Sequence, residues 1–446
     1  IENADITAAG DFVAQGTGVS IEKGTGPGTI TAGSSRIAAT SGDVTSDTNL
    51  TTTGGGMDIS ASGLVSVAAL DASTTIDIEA ADVDLGGGVV AGSTIAMEAT
   101  AGDISGTDID IEGASVELTG QVTATDSASI VATTGNATLN DDMTSTGSIL
   151  IGAASGKVTA AGLDADTTLS VTAGDIDLNG TVTGGGAVTV EATAGDISGT
   201  DIDIEGASVE LTGPVTATDS ASIVATTGDA TLNDDMTSTG SILIEATEGK
   251  VTTAGLDAET TLDITADDIE VTDVATAGGA LAMIAELLDI DLQGAVEAAS
   301  VYLEAARDIM AADSITATSG AIEIEAGGEV GLVSLDDATT IDVTAAALEV
   351  SGDASASGDA TFRAMTGDAT FGGKTSSANG DVLIEAKLGH ATAEDIESKL
   401  DTTIVAGAVS VLGDIVSMGQ VALQALTGNV DVQGSVTANG GLLLLE

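Results

Sequence analysis

The residues of this chain best suited to chemistry are its acids. The string LNDDMTSTG occurs at Leu139 and again at Leu232, presenting Asn140, Asp141 and Asp142, then Asn233, Asp234 and Asp235, beside threonine and serine hydroxyls. An all-oxygen set of this kind suits a hard cation, so these six residues are the candidate ligands of a metal, and Ca2+ is the one cofactor the sequence suggests. The Gly-Gly-x-Gly-x-Asp signature of calcium β-rolls is absent, although Gly-Gly-Gly occurs at Gly54 and Gly184, and a solvated acidic turn accounts for the same residues. Asp267-Asp268 and Asp336-Asp337 are further acid pairs of the type that glycoside hydrolysis uses. The three arginines, Arg36, Arg307 and Arg363, belong to different stretches, and a catalytic site needs one coil unlike the rest. The one histidine, His390 in KLGHATAED, reads as a surface-turn residue, and there is no cysteine. Neither a Ser–His–acid site nor thiolate or iron–sulfur chemistry is expected, and the chain is read as a non-enzyme.

The elements that carry these residues follow from composition. Among 446 residues, 70 acidic side chains face 9 basic ones, for a formal charge of −61. Such a surface repels phosphate, so no nucleic-acid partner is expected. There is no Trp, one Tyr (Tyr302) and three Phe (Phe12, Phe362, Phe371), so an ordinary globular core built on aromatics is excluded. Yet 43% of the chain is hydrophobic, above the composition of a disordered segment. With 59 glycines and abundant Ala, Thr, Ser and Asp, it reads as many short strands joined by tight turns. Its most apolar stretches, Gly278 to Leu288 and Gly440 to Leu445, fall short of the ~20 residues of a membrane span. Beginning at Ile1 without initiator Met or signal peptide, the sequence reads as a mature or excised segment.

A self-comparison finds a long repeat. The segment 98–173 recurs at 191–266, offset by 93 residues, with 67 of 76 positions identical. The same offset aligns LDASTTIDI at Leu70 with LDADTTLSV at Leu163 and LDAETTLDI at Leu256. Turns at Gly102, Gly135, Gly156, Gly174 and Gly195 are spaced by 33, 21, 18 and 21 residues. A coil of about 19–20 residues follows, with the 33-residue interval holding an extra coil and five coils filling the long unit.

Between turns the pattern alternates: Leu169, Val171 and Ala173 against Thr168, Ser170 and Thr172. That period of two is a strand signal. A single coil cannot bury its apolar edge alone, but stacked coils bury it against each other. The reading is an all-β chain, one continuous parallel β-helix (β-solenoid) over 1–446. It divides into N-terminal coils 1–62, long repeats 63–155, 156–248 and 249–341, and degenerate coils 342–446. At ~4.8 Å per coil, roughly 23 coils would make a long rod on the order of 110 Å. The narrow interior is expected to refuse aromatics, corner glycines to supply positive φ or close backbone approach, and differences between copies to change charge outside while the inside keeps its type.

Strings such as TVTGGGAVTVEATAGDISG (Thr181 to Gly199) and LSVTAGDIDLNGTVT (Leu169 to Thr183) resemble the repeats of filamentous-haemagglutinin-type exoproteins, from about Ile30 to the end. That resemblance implies a right-handed parallel β-helix, an extracellular or cell-surface setting and an adhesive role. The Asn-Pro-Asn-Gly secretion signature is not found, and the terminal GLLLLE stops in mid-strand, as it would in a longer chain or one that stacks on a neighbour. The expectation is a secreted structural or adhesive filament or stalk that associates with itself, end to end or laterally. Cell-surface or matrix ligands are further expected partners. A calcium-dependent binding module is the alternative, and a polysaccharide-acting enzyme the third.

Overall fold

The computed structural model describes residues 6–22, 28–337 and 339–446, and every regular element in them is a β-strand. Two compact units are present, Ile1–Thr218 and Asp219–Glu446. Each is a parallel β-solenoid in its own right, with three strands to a coil and each strand paired to its counterpart one coil on.

In the first unit, one ladder stacks Leu50, Leu70, Val89, Ile111 and Ile130. A second stacks Met57, Ile76, Ile95 and Val116. A third stacks Val44, Val65, Val83, Ile104 and Val122. In the second unit the corresponding aliphatic columns include Ile269, Ile290, Ile309 and Val330, and Leu262, Leu281, Val301, Ile322 and Ile341. These side chains are buried, and the residues between them face outward. The alternation read from Leu169, Val171 and Ala173 holds, because a strand sends successive side chains to opposite faces. Each fully buried Val, Leu or Ile contributes about 1.5–3 kcal/mol, so the thin core is strong through repetition.

The long repeat does not hold five coils. Gly135, Gly156, Gly174 and Gly195 do stack on one corner, but Gly102 lies on another, beside Asp82. The interval from Gly102 to Gly135 holds five strands, from Ile104–Gly106 to Ala128–Ala132, one short of two coils. From Ile109–Gly113 to its identical copy Ile202–Gly206 the chain passes fourteen strand segments, because Ile149–Ala160 and Leu169–Leu178 each turn a corner and pair in two ladders. Fourteen strands make four coils and two further strands. Ile111 of the first copy therefore lies in the ladder of Val89, whereas Ile204 of the second continues the column of Leu163 and Val182, which descends from Val122 through Met143. The same five letters, IDIEG, serve two different faces.

Two further expectations are corrected. Phe362 and Phe371 are fully buried and meet edge to face, ring centroids 4.8 Å apart at 71°. Their inward neighbours on the same strands are small, Ala360 and Ala364 for Phe362 and Ala369 for Phe371, as an exchange of volume requires. Nor does the inside keep its type throughout. Ala160 is replaced in the next copy by Thr253, which is 1% exposed and whose hydroxyl lacks a hydrogen-bond partner. Both roles expected of glycine are found: among the described glycines Gly120, Gly213 and Gly441 have positive φ. At other corners glycine permits close approach between coils: a Cβ on Gly156 would lie 2.0 Å from the Gly135 carbonyl oxygen.

Candidate functional site

The acids proposed as metal ligands sit on corners and hold neighbouring coils. Asp142 Oδ1 accepts the Gly162 N–H at 2.9 Å, and its copy Asp235 accepts the Gly255 N–H at the same distance. Asp141 Oδ2 accepts the N–H of Gly120 at 2.8 Å, and the Asn140 side-chain amide donates to Thr119 Oγ1 at 2.9 Å. Asn233 and Asp234 are likewise engaged. The pattern is general. Asp359 accepts from Asp381, Asp381 from Asp401 and Asp401 from Gln420, at 2.9, 2.7 and 2.8 Å. A corner between strands leaves backbone N–H groups outside the ladders, and a short carboxylate one coil away reaches them.

Among the described residues no three His, Cys, Asp or Glu side chains are grouped so as to hold a metal ion. A shallow groove of about 400 Å3 is lined by Asp235, Asp257 and Asp273 and by the hydroxyl residues Thr237 and Thr276. Thr276 Oγ1 donates to Asp257 Oδ1 at 2.5 Å, and Asp273 Oδ1 accepts the Val274 N–H at 2.8 Å. Of the other acid pairs, Asp268 receives Lys250 at 3.3 Å. Asp336 faces outward, while the side chain of Asp337 lies outside the described residues.

This outer column has an order that sequence inspection missed, because it emerges only in register. Thr237, Asp257, Thr276, Glu297, Thr316, Asp336 and Ser355 follow one another coil by coil. Hydroxyl and carboxylate alternate, which doubles the ~4.8 Å separation of like charges and lets each hydroxyl donate to an acid. The separation fails elsewhere: Glu304 and Glu325 are adjacent in register. There Tyr302 Oη donates to Glu304 Oε2 at 2.6 Å. That hydrogen bond, then partial burial and the neighbouring Glu charges, push the phenol up to about 12.

His390 is exposed as expected but lies within the strand Val382–Ala393, paired with Ala408, and not in a turn; its backbone N–H meets Asp368 Oδ1 at 2.7 Å. Lys157 and Lys250 hold the same corner position in other coils, on Asn136 and Asp229. The arginines are tied to acids: Arg36 to Asp58, Arg307 to Asp289, and Arg363 to Asp342 and Glu385. Among the described residues no helix is long and apolar enough to cross a membrane. Compared with models of known families, with characterised proteins and with solved structures, the chain matches none.

Proposed function

We propose that this chain is the structural body of an extracellular filament or stalk, associating with further copies of itself and offering its sides to cell-surface or matrix ligands. The observation that carries the reading is the in-register stacking: each coil is held by the same parallel edge that it offers to the next. An edge of unpaired N–H and C=O groups is a template for another coil, so one copy can extend another. Of the nine differences between segments 98–173 and 191–266, seven fall on outward positions and four add an acid, as Asn136 to Asp229 and Gly152 to Glu245 do. A scaffold tolerates such drift. The net charge of −61 would keep neighbouring molecules from bundling.

Electron microscopy of the purified protein tests this. Filaments longer than one chain, with an axial layer spacing of ~4.8 Å, are expected. Particles that stay at single-chain length at every concentration would sink self-association. The calcium-dependent reading draws on the groove of Asp235, Asp257 and Asp273. It predicts that a chelator shortens the filaments or lowers the melting temperature; identical grids and melts with and without chelator would remove it.

A further inference from the structure

We propose that a second groove, between Lys374 and Lys399, binds a sugar acid, that is, one carboxylate carried on a hydroxyl-rich molecule. The proposal stands on this groove alone and does not depend on filament formation. Eight Lys and Arg residues lie among the described residues, and seven of them, Arg36, Lys157, Lys250, Arg307, Arg363, Lys374 and Lys387, are ion-paired. Lys399 is the one without such a pair. With 70 acids in the chain, an exposed ammonium has an abundance of partners nearby, yet this one is left with its charge open to solvent at the rim of a groove.

The groove has about 430 Å3, within the range of small-molecule sites. Its lining gives the ligand class. Lys399 offers a charge-assisted hydrogen bond to a carboxylate, and so does Lys374, which is shared with Glu397. Ser355 and Ser376 stand in register with their hydroxyl oxygens 3.2 Å apart, each with hydrogen-bonding capacity to spare. Together with Glu397 they suit the donor and acceptor faces of sugar hydroxyls. Met418, half exposed, supplies an apolar wall for ring carbons. A polyanion would meet the surrounding negative field, and a polycation would meet two lysines. A single carboxylate among hydroxyls meets neither obstacle.

The chain has six lysines, so reductive 13C-methylation gives few enough NMR signals to follow one by one. Glucuronate should shift the Lys399 and Lys374 signals along a saturating curve and leave Lys387, paired to Glu385, in place. Acetate should bind at least tenfold more weakly and glucose not measurably. Lys399→Gln, an exposed change that keeps the backbone N–H bond to Ser377, should abolish the saturable shift of Lys374. Equal shifts at all lysines, or no more than sodium chloride gives at the same ionic strength, would overturn the site. Equal affinity for acetate would overturn the sugar-acid assignment. A Lys399 shift that follows protein concentration without added ligand would assign the lysine to a second copy and overturn it too.

Discussion

The carboxylate of Asp229 accepts the backbone N–H of Lys250, one coil on, at 2.9 Å, and Asn136 makes the same bond to Lys157 in the preceding copy. Acid and amide do one job at one corner. What the corner needs is an acceptor oxygen, and the charge comes with it.

Removing that oxygen should therefore matter more than removing the charge. Asp229→Ala is expected to cost about 1 kcal/mol and Asp229→Asn only a few tenths, since the amide keeps the acceptor. Urea unfolding would compare them. An Asn variant as damaged as the Ala variant would mean that the corner depends on charge.

Tyr302 offers a titration that can be read directly, because it is the only tyrosine. Its phenol, raised to about 12 chiefly by the bond to Glu304, should ionise well above the ~10 of a free tyrosine when followed by ultraviolet absorbance. A folded value above the unfolded one means the group's contribution to stability is complete below ~10 and is lost as pH rises toward about 12. Glu304→Gln should bring the midpoint down; an unchanged midpoint would place the cause elsewhere.

Ile111 and Ile204 are copies that stand in different ladders, and both are fully buried. If the ladders are equivalent environments, Ile→Ala at either position should cost the same, within the usual 2–5 kcal/mol for such a truncation. Local hydrogen exchange at the neighbouring coils would measure each. A difference of several kcal/mol would show that the faces are not interchangeable.

Thr253 carries a buried hydroxyl with no partner where the other copy has Ala160. Thr253→Val keeps the shape and removes the unsatisfied group, and should stabilise the protein by about 1 kcal/mol. A lowered denaturation midpoint would mean that the hydroxyl has found a partner, such as an ordered water.

The strands, their parallel stacking and the inward residues were legible in the sequence because a period of two and a long repeat both survive in the letters. Leu169, Val171 and Ala173 needed no structure to place them. The acids were legible only as acids. Asp142 and Asp235 read as cation ligands in isolation, because the Gly162 and Gly255 N–H groups they accept lie one coil away and leave no trace in the local string. The same distance hid the hydroxyl–acid alternation from Thr237 to Ser355 and the groove that joins Lys374 to Lys399. Phe362 and Phe371 were misjudged for a related reason: the edge-to-face contact that pairs them joins two different strands.

The fourteen-strand length of the duplicated unit acts as a vernier against the three-sided coil. Each copy ends two strands past a whole number of coils, so the copy that follows is turned by one face. A surface feature written once into the repeat then points in a new direction every time it is duplicated. Lengthening such a chain by duplication spreads an epitope around the axis instead of aligning it in a stripe. A partner approaching from one side would meet the feature at every third copy, spaced by fourteen coils.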